Sequence, residues 1–265
     1  MIKNTNTLIH FSNLAQTILN QETRYQANKK IIQDIFKTPS VTFKDTIQFR
    51  LTVIDSYYST QMSKRLYGIE DIGDELEVYS DKVLKLEIAK FLQNPTKGII
   101  KELFNKTYGF DKEAKNAKKA ISLLSKYLYF LSDCQFPIYD DLGKVSYNLL
   151  KKNDYITSNT LTNANYFELM IALNKSSSIN DFEKLDNLLW LLGKIKEGSF
   201  SILMDKSKYE TIVKQVDFSK AVKSQDKDRA IREYVKGNYN TIDLFGSIEK
   251  EFLEFAFELN KEKKK

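Results

Sequence analysis

Histidine and cysteine are nearly missing from this chain of 265 residues: it has one of each, His10 and Cys134. Multi-histidine metal sites, zinc clusters and iron–sulfur centres therefore lack their ligands. No internal disulfide can form, which fits a reducing compartment. His10, in a polar N-terminal stretch, makes a poor member of a catalytic triad, and no histidine lies near Cys134 to activate its thiol. Breakers are scarce too, with 9 Gly and 3 Pro. Sandwiches and barrels need many turns, so this scarcity points to a mainly helical protein. Neither a phosphate-loop nor a dinucleotide glycine pattern occurs. No run of eighteen uncharged apolar residues and no signal peptide is present, so no membrane partner and a cytoplasmic location are expected.

What is present is lysine. The formal net charge is +6, which permits a polyanionic partner. Arginine is confined to positions 24, 50, 65, 229 and 232. That is few for an interface that reads base edges with bidentate forks.

Apolar periodicity sets out the helices. Leu8, Phe11, Leu14, Ala15, Ile18 and Leu19 share one face, and a second helix covers Gln26 to Phe36. Thr38-Pro39-Ser40 reads as a joint. Residues 44 to 62 fit a strand alternation and a helix face alike, and their length favours the helix. Gly68 and Gly73 mark a turn, followed by one helix from Leu76 to Leu92. Asn94 and Pro95 offer a cap and first-turn signal for a helix reaching Asn105. Asn180 and Glu183 form a capping-box pattern for a helix ending near Ile195. Its face carries Leu185, Leu188, Leu189, Leu192 and Ile195, and Trp190 reads as core. Near the C-terminus Ile248, Phe252, Phe255, Ala256 and Leu259 make an apolar face for the core or for a second subunit. Lys261 to Lys265 reads as a solvated tail.

The central stretch, Lys112 to Leu150, carries the candidate chemistry. It reads as a long helix from Lys112, with Ala120, Leu123, Leu124, Tyr127, Leu128 and Leu131 on one face. Lys112, Lys115, Lys119 and Lys126 then fall on a flank of the same helix, where they could track a DNA backbone or be solvated. Phe136-Pro137-Ile138-Tyr139-Asp140 breaks the helix, because proline cannot continue it. Asp140 falls at the next helix start, where a carboxylate is favoured as a cap or held ionised for catalysis. Asp141 is its neighbour and substitute.

Pro137-Ile138-Tyr139-Asp140 resembles the catalytic signature of the helix-hairpin-helix DNA glycosylase superfamily, the 8-oxoguanine glycosylase branch in particular. Ile54-Asp55-Ser56-Tyr57-Tyr58-Ser59-Thr60-Gln61 and Leu185-Asp186-Asn187-Leu188-Leu189-Trp190-Leu191-Leu192-Gly193-Lys194 are similar to segments of an uncharacterised bacterial branch. The matches span roughly residues 45 to 195. The resemblance implies an all-α, two-lobed helical bundle with an N-terminal extension (1–40), a glycosylase-like core (41–197) and a C-terminal extension (198–265). It implies excision of a modified base, flipped from duplex DNA, without a cofactor. Asp140 would support the sugar cation, and Lys126 or Lys119 would attack C1′ or contact phosphate. Tyr57, Tyr58 and Gln61 would line the base pocket, or the tyrosines would pack as core.

The family's hairpin brackets an apolar residue with two glycines, and its amides hold a DNA phosphate. Here Gly109 stands alone in Tyr108-Gly109-Phe110-Asp111-Lys112. That departure supports a second reading, a catalytically inactive DNA-binding protein on the same scaffold. A third is an interaction module of a multi-protein bacterial defence system, joining a protein partner or a second copy through the C-terminal helix.

Overall fold

A computed structural model describes residues 5–37, 43–219, 223–241 and 243–261. Among these the protein is all-α. The helices are α1 (Thr5–Gln21), α2 (Thr23–Lys37), α3 (Phe43–Tyr58), α4 (Gly68–Glu77), α5 (Asp81–Gln93), α6 (Ile99–Asn105) and α7 (Ile121–Leu131). They continue with α8 (Asp141–Lys152), α9 (Tyr166–Ser176), α10 (Phe182–Glu197), α11 (Lys206–Gln215), α12 (Ser224–Asn238) and α13 (Ser247–Leu259). Two isolated antiparallel bridges, Leu66 with Phe110 and Tyr108 with Lys118, are the only extended pairings among the described residues. No helix among them is long and apolar enough to cross a membrane.

The chain divides into two compact units, each assembled from segments distant in sequence. Unit 1 takes Met1–Gln26, Asp141–Ala164 and Leu173–Lys265, and unit 2 takes Ala27–Asp140 and Asn165–Ala172.

Unit 1 is built around α10, which packs against α1, α8, α12 and α13. Leu185, Leu188, Leu189, Leu192 and Ile195 are all buried, as their helical spacing predicts. Gly193 lets α8 approach closely, because a Cβ there would lie 2.7 Å from Leu142 Cβ. Asp181 caps the helix, accepting from the amides of Glu183 and Lys184. The cap thus falls one residue beyond the Asn180 expected, since Asn180 takes a left-handed turn with φ 50°. Trp190 is half-buried rather than core; it lies 5.6 Å from the Tyr25 ring, with Lys194 over its face. The apolar face of α13 is covered within the unit: Phe255 stacks on Phe11 at 3.7 Å, and Phe252 and Ala256 are fully enclosed. That face is therefore not an open surface for a partner or a second copy. The tail beyond Lys261, and the Thr38-Pro39-Ser40 joint, lie outside the described residues.

Unit 2 packs α3 against α4 and α7, and α5 against α6 and α7. The ambiguous stretch from residue 44 is helical: Ile47, Leu51 and Ile54 are all fully buried on one face of α3. Arg50 on that helix donates to Asp81 at 2.9 Å and to the Phe36 carbonyl at 3.0 Å, with its guanidinium over the Phe36 ring. A second centre joins Phe91, Phe104, Phe136 and Phe167 by ring contacts.

Three turn expectations fail in unit 2, each for a local reason. Gly68 and Gly73 lie inside α4 rather than in a turn, and a Cβ on Gly73 would press Gln48 of α3 at 3.0 Å. The single helix expected from Leu76 to Leu92 is interrupted, because Ser80 accepts from the Val83 amide and opens α5 anew. Asn94 does not start a helix: its side chain accepts from Thr96, turning the chain, and α6 begins after Gly98.

Candidate functional site

The expected long helix from Lys112 does not form. Asp111 captures the amides of Glu113 and Lys115 and the side chain of Asn116, closing a turn. The Tyr108–Lys118 bridge then holds residues 108–118 as a loop, and α7 starts only at Ile121. The lysine flank is dispersed accordingly. Lys115 pairs with Glu113 at 2.8 Å, Lys119 is exposed before α7, and Lys126 alone of the four sits on the helix.

Gly109, expected where the family's hairpin holds a phosphate, turns its amide inward. Its amide donates to Asp71 at 2.8 Å. Its φ is +57°, and a Cβ would come within 2.7 Å of Gly68 Cα. Glycine is required here so that two loops can touch: Leu66 and Phe110 exchange backbone hydrogen bonds of 3.0 and 2.9 Å across that contact.

Lys126 and the segment before Asp140 do meet. Lys126 is 2% exposed. Its Nζ donates to Ser122 Oγ, one turn back, at 2.8 Å and to the Tyr139 carbonyl at 3.4 Å. The Tyr58 ring lies over this cation, 5.3 Å from centroid to Nζ. The Tyr139 amide donates to Ser125 Oγ at 2.9 Å. Tyr166 Oη donates to the Ile138 carbonyl at 2.6 Å and accepts from the Asp140 amide at 3.4 Å. The segment around buried Pro137 is thus pinned from two sides, by serine and lysine of α7 and by tyrosine of α9. Half-buried Asp140 immediately precedes α8. Asp141, the substitute, is exposed and pairs with Lys144 at 2.5 Å.

Tyr57 and Tyr58 are both exposed, at 43% and 36%. They are not core residues, although Tyr58 also contacts the Phe130 ring. Past α3 the chain is shaped by Asp55, buried beneath the loop. Its carboxylate accepts from the amides of Met62 and Ser63, at 2.9 and 3.0 Å, and from the hydroxyls of Thr60 and Ser63. Burial pushes this carboxyl upward, but the four hydrogen bonds outweigh it and the net shift is down. The anchor holds Gln61 in a left-handed conformation at φ 65°.

Gln61 and Lys112, both expected at a DNA interface, line one hollow of about 220 Å³ with Thr60, Met62, Lys64, Arg65, Asp111 and Lys118. The backbone carbonyl of Asn116 accepts a hydrogen bond from the lining residue Arg65. The hydrogen-bonded turn holds the Asp111 carboxyl below its usual range. Reading the sequence missed Lys64, Arg65 and Lys118 here, and Ser122, Ser125 and Tyr166 around Lys126. The adjacent Lys64-Arg65 pair, directly after the Tyr57–Gln61 stretch, was the available signal for the hollow.

Cys134 is buried and accepts a weak hydrogen bond from Gln33 at 3.6 Å. Among the described residues no group of three His, Cys, Asp or Glu could hold a metal ion. Comparison with known proteins gives no matching family model, no matching curated protein and no matching solved structure.

Proposed function

We propose that this chain is a DNA glycosylase-like protein whose unit 2 receives an everted nucleotide. The observation that carries the reading is the meeting of a lysine amine with the segment leading into Asp140: Lys126 Nζ lies 3.4 Å from the Tyr139 carbonyl, under the Tyr58 ring. In base excision the amine, in its neutral form, attacks C1′; the base leaves with the electron pair of the glycosidic bond and takes up the proton that the attacking nitrogen sheds. The Asp140 carboxylate offsets the positive charge that builds on the sugar. Tyr57 and Tyr58, both solvent-facing, supply stacking surface for the extruded base. Lys119 and Lys115, on the exposed loop, would serve phosphate contact rather than attack.

The test is excision from duplex oligonucleotides carrying a broad panel of modified bases. The expected result is base release by the wild type, a fall of roughly 10²–10³-fold in Asp140→Asn, and loss of the borohydride-trapped covalent complex in Lys126→Ala. A wild type inactive across the panel removes excision.

DNA binding without excision is the second reading, and one observation favours it: the Lys126 amine is enclosed and engaged by Ser122 and Tyr139. Under this reading duplex binding is salt-sensitive, Asp140→Asn leaves it unchanged, and no base is released.

A further inference from the structure

The hollow beside Gln61 is not needed for the chemistry assigned to Lys126 and Asp140. Four cationic side chains line it, Lys64, Arg65, Lys112 and Lys118, against the single carboxylate of Asp111. That carboxylate is already occupied by its own turn. The ammonium and guanidinium groups of these lining residues are of the kind that pair with phosphate oxygens. No described residue pairs with the ammonium groups of Lys64, Lys112 or Lys118. At about 220 Å³ the hollow falls below the roughly 300–1,000 Å³ of pockets that enclose whole small molecules. Its size and charge suit a phosphate group, with the rest of the ligand outside.

Exposed apolar side chains follow closely in the chain. Leu66 and Phe110, next to the lining residues Arg65 and Asp111 and bridged to each other, are 47% and 40% exposed, and Tyr67, which follows Leu66, is 65% exposed. Tyr67 is held at φ 57°, a left-handed conformation that is strained for a bulky residue. Aromatic faces beside a cationic groove are how single-stranded nucleic acid is gripped, with bases stacked and phosphates neutralised.

We infer that this hollow is a second nucleic-acid site, binding a backbone phosphodiester by the side chains of Lys64, Arg65, Lys112 and Lys118 while Tyr67 stacks on a neighbouring unpaired base. The inference deepens the DNA-binding reading and is independent of excision. It also places the phosphate contact on side chains, where the single glycine of the neighbouring loop supplies no free amide.

The test is fluorescence anisotropy with a labelled single-stranded oligonucleotide, over a salt series, on the full chain. Variants are Lys64→Gln/Lys112→Gln/Lys118→Gln, Arg65→Gln and Tyr67→Ala. The triple variant should lower the salt slope by roughly 0.7 for each phosphate contact removed from a single strand. Its affinity should fall at least tenfold at low salt. Tyr67→Ala should weaken binding without changing the slope. Circular dichroism and thermal melting check that each variant is folded. Inorganic phosphate, followed by amide shifts of the 60–65 and 111–118 loops, is the second probe. Phosphate binding with no oligonucleotide binding would overturn the nucleic-acid assignment, as would a triple variant that binds with the wild-type slope. Because these readouts need no base release, an inactive wild type would defeat excision and leave this inference standing.

Discussion

Helix α10 in unit 1 and the bridged loops of unit 2 spend their side chains in opposite ways. On α10 the apolar face is fully enclosed, and its glycine serves only to bring α8 closer. On the loops at 59–67 and 107–118 Leu66, Tyr67 and Phe110 stay outside, cations gather, and several residues hold positive φ: Ser59, Gln61, Tyr67 and Ala114. Enclosed apolar area stabilises a fold, at about 25 cal/mol per Å². Exposed aromatics and strained backbone do not, and they persist only where surrounding structure holds them. Asp55 is that surrounding structure here, with four hydrogen bonds to the chain that carries Gln61. The difference teaches where to look for function: at the region that costs stability and is nevertheless kept in one shape.

The comparison can be broken most forcefully at its stable end. Leu192→Ala opens a cavity beside a residue that is fully buried in unit 1. It should cost about 2–5 kcal/mol in chemical denaturation, with oligonucleotide affinity of the folded fraction unchanged. A loss of affinity in folded protein would show that α10 is not merely structural.

Asp55→Asn should cost less, about 1–3 kcal/mol at neutral pH, because the amides of Met62 and Ser63 lose a charged acceptor. The sign of the pH dependence follows from the lowered pKa. Asp55 contributes its stability above the unfolded carboxyl value of about 3.9, and that stability is lost as pH falls through the lower folded value. The wild-type advantage over Asp55→Asn should therefore shrink on acidification below about pH 4. Thermal melts at several pH values measure it, and a gap that widens in acid would rule out the assignment.

The smallest change in stability sharpens the contrast most. Tyr67→Gly relieves the left-handed strain but adds backbone freedom, so the melting temperature should stay level or rise by less than about 1 kcal/mol equivalent. Single-strand affinity should fall even so. A variant that is destabilised by 2 kcal/mol or more, on the order of an ordinary core truncation, would make Tyr67 a packing residue.

The faces of α1, α10 and α13 were legible because helical neighbours are three and four residues apart and the apolar residues keep that spacing, whereas the spacing in α3 fitted a strand as well. Local competition spoiled other assignments. Lys112 to Lys119 has helix-forming composition, yet the side chain of Asp111 takes the amides a helix would need. The two glycines of α4 look like punctuation, but their lack of Cβ serves a close approach. Of the candidate site, Lys126, Asp140, Gln61 and Lys112 were legible as residue types, while their surroundings were not.

The sequence by itself determined that the chain is helical, which sides of its main helices turn inward, and that a proline-bearing segment precedes Asp140. Only the tertiary structure decided that Gly109 lies against Gly68, that Lys64 and Arg65 share a hollow with Lys112 and Lys118, and that Lys126 sits beneath Tyr58. The reason is range: periodicity records contacts within one turn of helix. Meetings between segments tens of residues apart depend on packing that must outweigh the entropy of closing the loop between them.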